Sequence, residues 1–201
     1  LLQASQIFYP CMQCADIFYQ KCDVTQLGMD QRKVNVLARE IGPQIGFWKP
    51  IIVSHHMLRG LNEPSKTEDA VQRAIEMKMS KSKPETAIFM DDSEEQINKK
   101  IAKAYCPDKI AQDNPILEYF KYLIFQRFKI VEIKRSKEHD ILEIKSYSEM
   151  ERLFLEGKIH PLDLKKSAAF YINEMIDPVR KRLEKNKKAK KLVEEIKDFS
   201  K

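Results

Sequence analysis

Nothing in this sequence approaches the roughly 20 consecutive apolar residues that a helix needs to cross a bilayer, which excludes a helical membrane protein. The opening residues Leu1-Leu2-Gln3 lack the basic-then-apolar layout of a secretory signal, so an intracellular, cytoplasmic location is expected, with no membrane partner. They also lack an initiator methionine and a polar leader, as expected of a piece cut from something longer. Cysteine is scarce. Cys11, Cys14, Cys22 and Cys106 are too few and too unevenly placed for a disulfide framework, and free thiols are expected. Cys11 and Cys14 have the C-x-x-C spacing of a zinc or redox site, but no second pair follows and both fall within a regular helix. His55 and His56 are adjacent at a strand end with no third ligand at suitable spacing, so no metal site is expected. Internal repeats are missing, and low complexity is confined to a lysine-rich end.

What is there is an ordinary globular composition. With 43% hydrophobic and 33% charged residues among 201, the chain can bury one large core or two small ones. The net charge of +6 favours a polyanionic partner, and its distribution says more than its total. From Arg180 onward ten Lys/Arg face four Asp/Glu, which concentrates the excess in a terminal helix. A solvated helix laced with Glu/Lys pairs accounts for the same pattern.

The pattern of elements is α/β. A helix is expected over 9–19, a short strand from Asp23 to Leu27 ending at Gly28, and a helix from Asp30 to Ile41 with Asp30 as its cap. Pro50 to Ser54 is a β-branched run of the kind found in buried parallel strands. Strand, helix, strand in that order implies a parallel sheet. A short helix follows, then Lys78 to Pro84 as an exposed loop. Ser93 with Gln96 opens a helix to about Ala104, and Asn114-Pro115 another through Phe125. Residues 128–144 alternate as two strands, Ser146 with Glu149 forms a further capping box, and Pro161 starts a long helical region interrupted at Pro178.

Three stretches carry chemistry. Lys78-Met79-Ser80-Lys81-Ser82 sets two flexible ammonium groups among small hydroxyls, suited to negative charge that grows on phosphates during a reaction. Tyr9, Gln13 and Asp16 are spaced by four and three, so one helix face presents a phenol, an amide and a carboxylate together. Gly28 and Asp30 fall at the carboxyl end of a strand, where α/β sheets bind nucleotides and where glycine permits close backbone approach.

Together, Tyr9-Pro10-Cys11-Met12-Gln13-Cys14-Ala15-Asp16, Gln26-Leu27-Gly28-Met29-Asp30-Gln31-Arg32-Lys33 and the lysine loop resemble, in order and spacing, the tyrosyl-tRNA synthetases of archaea and the eukaryotic cytosol. Further matches at Ala104 to Pro107, Asn114 to Ile116 and Ile159 to Lys165 extend the resemblance to about Leu183. It implies the second half of a Rossmann-like class I catalytic domain over 1–108 and a mainly α-helical anticodon-binding domain over 109–201. It also implies an ATP-dependent ligase that forms tyrosyl-adenylate and charges tRNA(Tyr) for protein biosynthesis.

The resemblance assigns residues as well. Tyr9, Gln13 and Gln31 would hold tyrosine, with Asp16 accepting from its hydroxyl. Gly28, Asp30, Met57 and Leu58 would face the adenosine, with Lys78, Met79 and Lys81 near the ATP phosphates; Lys78, Ser80, Lys81 and Ser82 would be catalytic. ATP with Mg2+ is the implied substrate, with no tightly bound cofactor, and a homodimer is implied. His160 would stack on an anticodon base that Asp163 reads. Where relatives often have an aromatic before Gly-Gly-Asp, this chain has Lys137-Glu138-His139-Asp140, so the usual second stacking partner is absent or replaced by His139. The His-x-Gly-His motif of the class and its facing tyrosine do not occur, so half of the activation site would lie elsewhere. The competing readings are a tryptophanyl-tRNA synthetase and a non-catalytic tRNA-binding fragment.

Overall fold

The computed structural model describes residues 3–64, 67, 77–79 and 83–199. The chain divides into two compact units, Leu1–Met57 and Leu58–Lys201. In the first, helix α1 spans Ala4–Tyr19 and begins earlier than its periodicity suggests. The reason is a reciprocal cap in which the Gln3 backbone N–H donates to the Gln6 side chain at 2.9 Å, a pairing that glutamine at the cap position does not advertise.

Strand β1 (Val24–Gly28) pairs in parallel with β2 (Ile51–His55), in register from Val24 opposite Ile51 to Gly28 opposite His55. Between them a 3₁₀ turn, Met29–Gln31, leads into α2 (Arg32–Ile41). Asp30 therefore lies inside the turn rather than capping α2; Gly28 caps the turn and Gln31 precedes the helix. The expectation that β2 is buried also needs correction, because Ile51 and Val53 are exposed. Within the described part of this unit β2 pairs only with β1, and only one of its faces is covered: Ile52 and Ser54 are half-buried on the side where α2 packs, while Ile51, Val53 and His55 face outward. The unit is held by Cys14, Ile17 and Phe18 of α1 against Ala38, Val34 and Leu37 of α2, with Trp48 beside them. Phe18 stacks on Phe47 at 4.8 Å and meets Trp48 edge-on at 5.6 Å.

The second unit is mainly helical. Helix α3 (Glu94–Lys103) opens with the Ser93/Gln96 capping box, complete in both directions. Helix α4 (Pro115–Tyr119) is capped by Asn114, whose carbonyl oxygen accepts from Ile116 and Leu117, and runs on through a π-helical turn, Phe120–Ile124. A hairpin follows, β3 (Val131–Arg135) antiparallel to β4 (Asp140–Ile144). Helix α5 (Tyr147–Leu155) is capped by Ser146, but its box is not reciprocal: the Glu149 carboxylate accepts from Lys145 at 3.1 Å instead of from Ser146. Helix α6 (Pro161–Lys185) continues through Pro178, and the break falls at Asn186, before α7 (Lys187–Phe199). The Arg180 guanidinium clamps the helix across the proline by donating to the Asn173 side chain at 2.9 Å and the Asp92 carbonyl at 3.1 Å. Ile97, Ile101, Phe120, Ile124, Phe154 and Leu164 form the fully buried centre of the unit.

Candidate functional site

Residues of the first unit meet at the carboxyl ends of its parallel strands. Gly28 is buried there, and a methyl group added to it would lie 2.6 Å from an Asp30 carboxylate oxygen and collide with the Met57 sulfur. Gly28, Asp30 and Met57 are thus brought together around a backbone position where any side chain would have to displace both neighbours. Gln31 is half-buried at the start of α2.

On α1 the polar face runs as its spacing predicts, with Tyr9 and Asp16 exposed and Gln13 half-buried between them. The Gln13 side-chain oxygen is buried and has no hydrogen-bond partner among the described residues, a state that costs about 1–3 kcal/mol until a donor arrives. Asp16, the residue that would accept from a tyrosine hydroxyl, is exposed, with no described residue of the unit laid over it. Sequence reasoning missed Asn35. One turn along α2 from Gln31, it is fully buried with both amide atoms unpartnered among the described residues. A helical position four after Gln31 was the signal available.

The Cys11 and Cys14 side chains of α1 differ in setting. Cys11 is exposed, while Cys14 is buried with its thiol donating to the Val34 carbonyl at 3.5 Å. Burial, with the neighbouring Cys11 second, pushes the Cys14 thiol above its ordinary range, and burial does the same to Cys106. Iodoacetamide at neutral pH is accordingly expected to modify Cys11 at least about tenfold faster than either. Peptide mass spectrometry over a time course checks this, and equal rates would contradict the packing of α1 on α2.

In the second unit Leu58 and Met79 pack against the core, and Lys78 is exposed. Ser80, Lys81 and Ser82 lie outside the described residues, as does the expected helical piece before Met77. Arg59 and Lys78 form an antiparallel bridge, and the Gly60 N–H donates to the Met77 carbonyl at 2.8 Å. The chain entering and leaving the lysine loop is therefore tied at its root.

The turn His160-Pro161-Leu162-Asp163 splits the roles expected of it. His160 is exposed and caps α6, its Nδ1 accepting from the Leu162 N–H at 3.2 Å. Asp163 is 3% exposed, and its carboxylate accepts from the Ser136 backbone N–H at 3.1 Å and from the Ser136 hydroxyl at 2.5 Å. It forms part of the lining of a cavity of about 340 Å³ that also includes Lys134, Lys166 and Phe170. In the turn between β3 and β4, His139 is exposed at φ 53°, a left-handed position. Asp140 is held by Arg135, whose hydrogen bonds keep that carboxyl below its ordinary range.

A buried glycine and an acidic residue at the carboxyl ends of two parallel strands stand where α/β folds commonly take their ligands, in the same unit as the polar face of α1. The family model for class I tRNA synthetases (W and Y) matches residues 1–177, and the chain belongs to that family. It is 43% identical to the tyrosine–tRNA ligase of Saccharolobus solfataricus over 97% of this chain and 55% of that protein. It is 46% identical to the cytoplasmic tyrosine–tRNA ligase 2 of Arabidopsis thaliana over 99% of this chain and 25% of that one. The solved tyrosyl-tRNA synthetase of Pyrococcus horikoshii in complex with L-tyrosine is similar at a TM-score of 0.85, with 36% identity over 96% of this chain and 57% of that one. The chain spans about half the length of that archaeal relative and a quarter of the plant one. No helix among the described residues is long and apolar enough to cross a membrane.

Proposed function

We propose that this chain is the portion of a tyrosyl-tRNA synthetase that supplies tyrosine-selecting and ATP-phosphate-binding residues together with a tRNA-reading region. The observation that carries the tyrosine reading is the α1 face, where a phenol, an unpartnered amide oxygen and a carboxylate stand in line. Tyr9 and the Gln13 oxygen would take the substrate ammonium group, Asp16 its hydroxyl, and Gln31 its carboxyl end. The buried Gly28 and the Asp30 carboxylate suit an adenosine ribose, with main-chain groups near Met57 and Leu58 toward adenine. In activation the tyrosine carboxylate attacks the α-phosphate of ATP and pyrophosphate leaves. Lys78 and Lys81, with Ser80 and Ser82, would follow the charge that builds on the phosphates. The adenylate carbonyl is then attacked by the terminal hydroxyl of tRNA, and AMP departs. Magnesium would arrive on the ATP phosphates, its usual way into such sites.

The functional boundary stays at 108/109, with the helical part beyond it reading the anticodon through His160. Asp163 contributes by ordering the β3–β4 turn, and reaches a base edge only by exchanging Ser136 for it. Lys187, Lys188, Lys190 and Lys191 of α7 would meet the phosphate backbone without regard to sequence. A homodimer working in the cytoplasm completes the reading. The family includes tryptophanyl enzymes, yet both curated relatives above are named for tyrosine. ATP–pyrophosphate exchange by the complete protein is expected with tyrosine and at most traces with tryptophan or phenylalanine. Equal exchange with tryptophan would overturn the assignment of the α1 face, and no exchange with any of the three would favour a non-catalytic RNA binder.

A further inference from the structure

We propose that Arg59 is a positioning residue for the lysine loop, holding the loop root through an ion-pair clamp so that Lys78 sits at a fixed place. The inference rests on the phosphate-binding reading of that loop.

The clamp is built from both sides of Arg59. Its backbone N–H donates to Glu118 Oε2 at 3.0 Å while its Nε donates to Glu118 Oε1 at 2.8 Å, so one carboxylate grips backbone and side chain together. Nη1 pairs with Asp113 and lies 4.0 Å from the Met77 sulfur. Both carboxylates are 15% exposed at the side chain. Asp113 takes a left-handed backbone, φ 57°, immediately before the Asn114 cap, a conformation that aspartate tolerates. Glu118 and Asp113 take Nε and Nη1 and offset the guanidinium charge, which commits the side chain to the clamp.

Its influence runs through the backbone. Arg59 bridges Lys78, the Gly60 N–H reaches Met77, the Leu61 N–H donates to the Thr86 carbonyl at 2.9 Å, and the Tyr105 N–H donates to the Leu61 carbonyl at 2.7 Å. A methyl group at Gly60 would meet the Asn62 side chain at 2.7 Å and the Thr86 carbonyl at 3.3 Å, so the backbone there lies close against its neighbours. Fixing Arg59 to Glu118 and Asp113 therefore fixes where the chain emerges at Lys78. A charged group displaced by an ångström from a developing charge loses much of its effect.

The test is a double-mutant cycle in the complete enzyme, read by tyrosine-dependent pyrophosphate exchange. Arg59→Leu is expected to lower kcat about tenfold with the KM for tyrosine within about twofold of the parent, and Arg59→Lys to recover part of the loss. Glu118→Gln should fall between. In an Arg59→Leu/Lys78→Ala double variant the loss should be no larger than that of Lys78→Ala alone, because the arginine acts through the lysine. If the losses add, if the KM for tyrosine rises in step, or if Arg59→Leu runs at the parental rate while Lys78→Ala is slow, the positioning role is overturned. If Lys78→Ala itself exchanges at the parental rate, the phosphate reading of the loop falls and the clamp's role with it. Thermal midpoints of each variant separate unfolding from misplacement, since a purely structural ion pair would lower stability without non-additive kinetics.

Discussion

Asp16→Ala in the complete enzyme is expected to reduce kcat/KM for tyrosine by about a hundredfold in pyrophosphate exchange while leaving phenylalanine activation nearly unchanged. A hydrogen bond to a charged acceptor is worth about 1.5–3 kcal/mol, close to two decades of rate constant when it forms only with the correct substrate. Tyrosyl-tRNA synthetases are themselves the reference case for this asymmetry, so its size is carried over from them. The exposure of Asp16 gives the experiment a second use. A carboxylate open to water would yield tenfold or less, because water substitutes for the lost partner; one covered in the assembled enzyme gives the full effect. Discrimination unchanged from the parent would remove Asp16 from the specificity role.

Asp163→Ala should destabilise the helical unit by about 2–3 kcal/mol, because the Ser136 N–H and hydroxyl lose a buried, charged acceptor that holds both at once. In a chain of this size that corresponds to a fall in thermal midpoint of roughly 5–10 °C. His160→Ala loses a single capping interaction, worth about 1 kcal/mol, and should instead raise the KM for tRNA at least about tenfold through lost stacking. Both variants should keep tyrosine-dependent pyrophosphate exchange at a temperature where they are folded. A variant at position 163 with parental stability and lost discrimination at the anticodon would place that carboxylate on the RNA.

Local signals with a mechanism were legible. Ser93 with Gln96, Asn114 before Pro115, and the alternation in 128–144 each specify their element through adjacent atoms, and each element is present. Features set by distant partners were not. Pro178 breaks a helix on intrinsic grounds, and contacts made by side chains around it, such as those of Arg180 to Asn173 and Asp92 and of Lys181 to Asp177, hold the helix through it. Asp163 reads equally as a base acceptor or a buried support, and its partner Ser136 is far away in sequence. The β-branched run of β2 signals a strand faithfully but cannot say how many faces are covered. On the site side, the α1 face and the glycine turn followed from spacing, whereas the buried amide of Asn35 and the Arg59 clamp depend on tertiary neighbours that no short motif encodes.

The unbroken course of α6 also makes it a ruler. Twenty-five residues at about 1.5 Å each extend roughly 37 Å. His160 caps one end, and the lysines that open α7 follow the other. On the tRNA reading, the exposed ring would meet an anticodon base while the basic tip meets backbone phosphates about one helix length away. A kink at Pro178 would swing the basic tip off that line, so the Arg180 clamp guards a distance as much as it guards a helix.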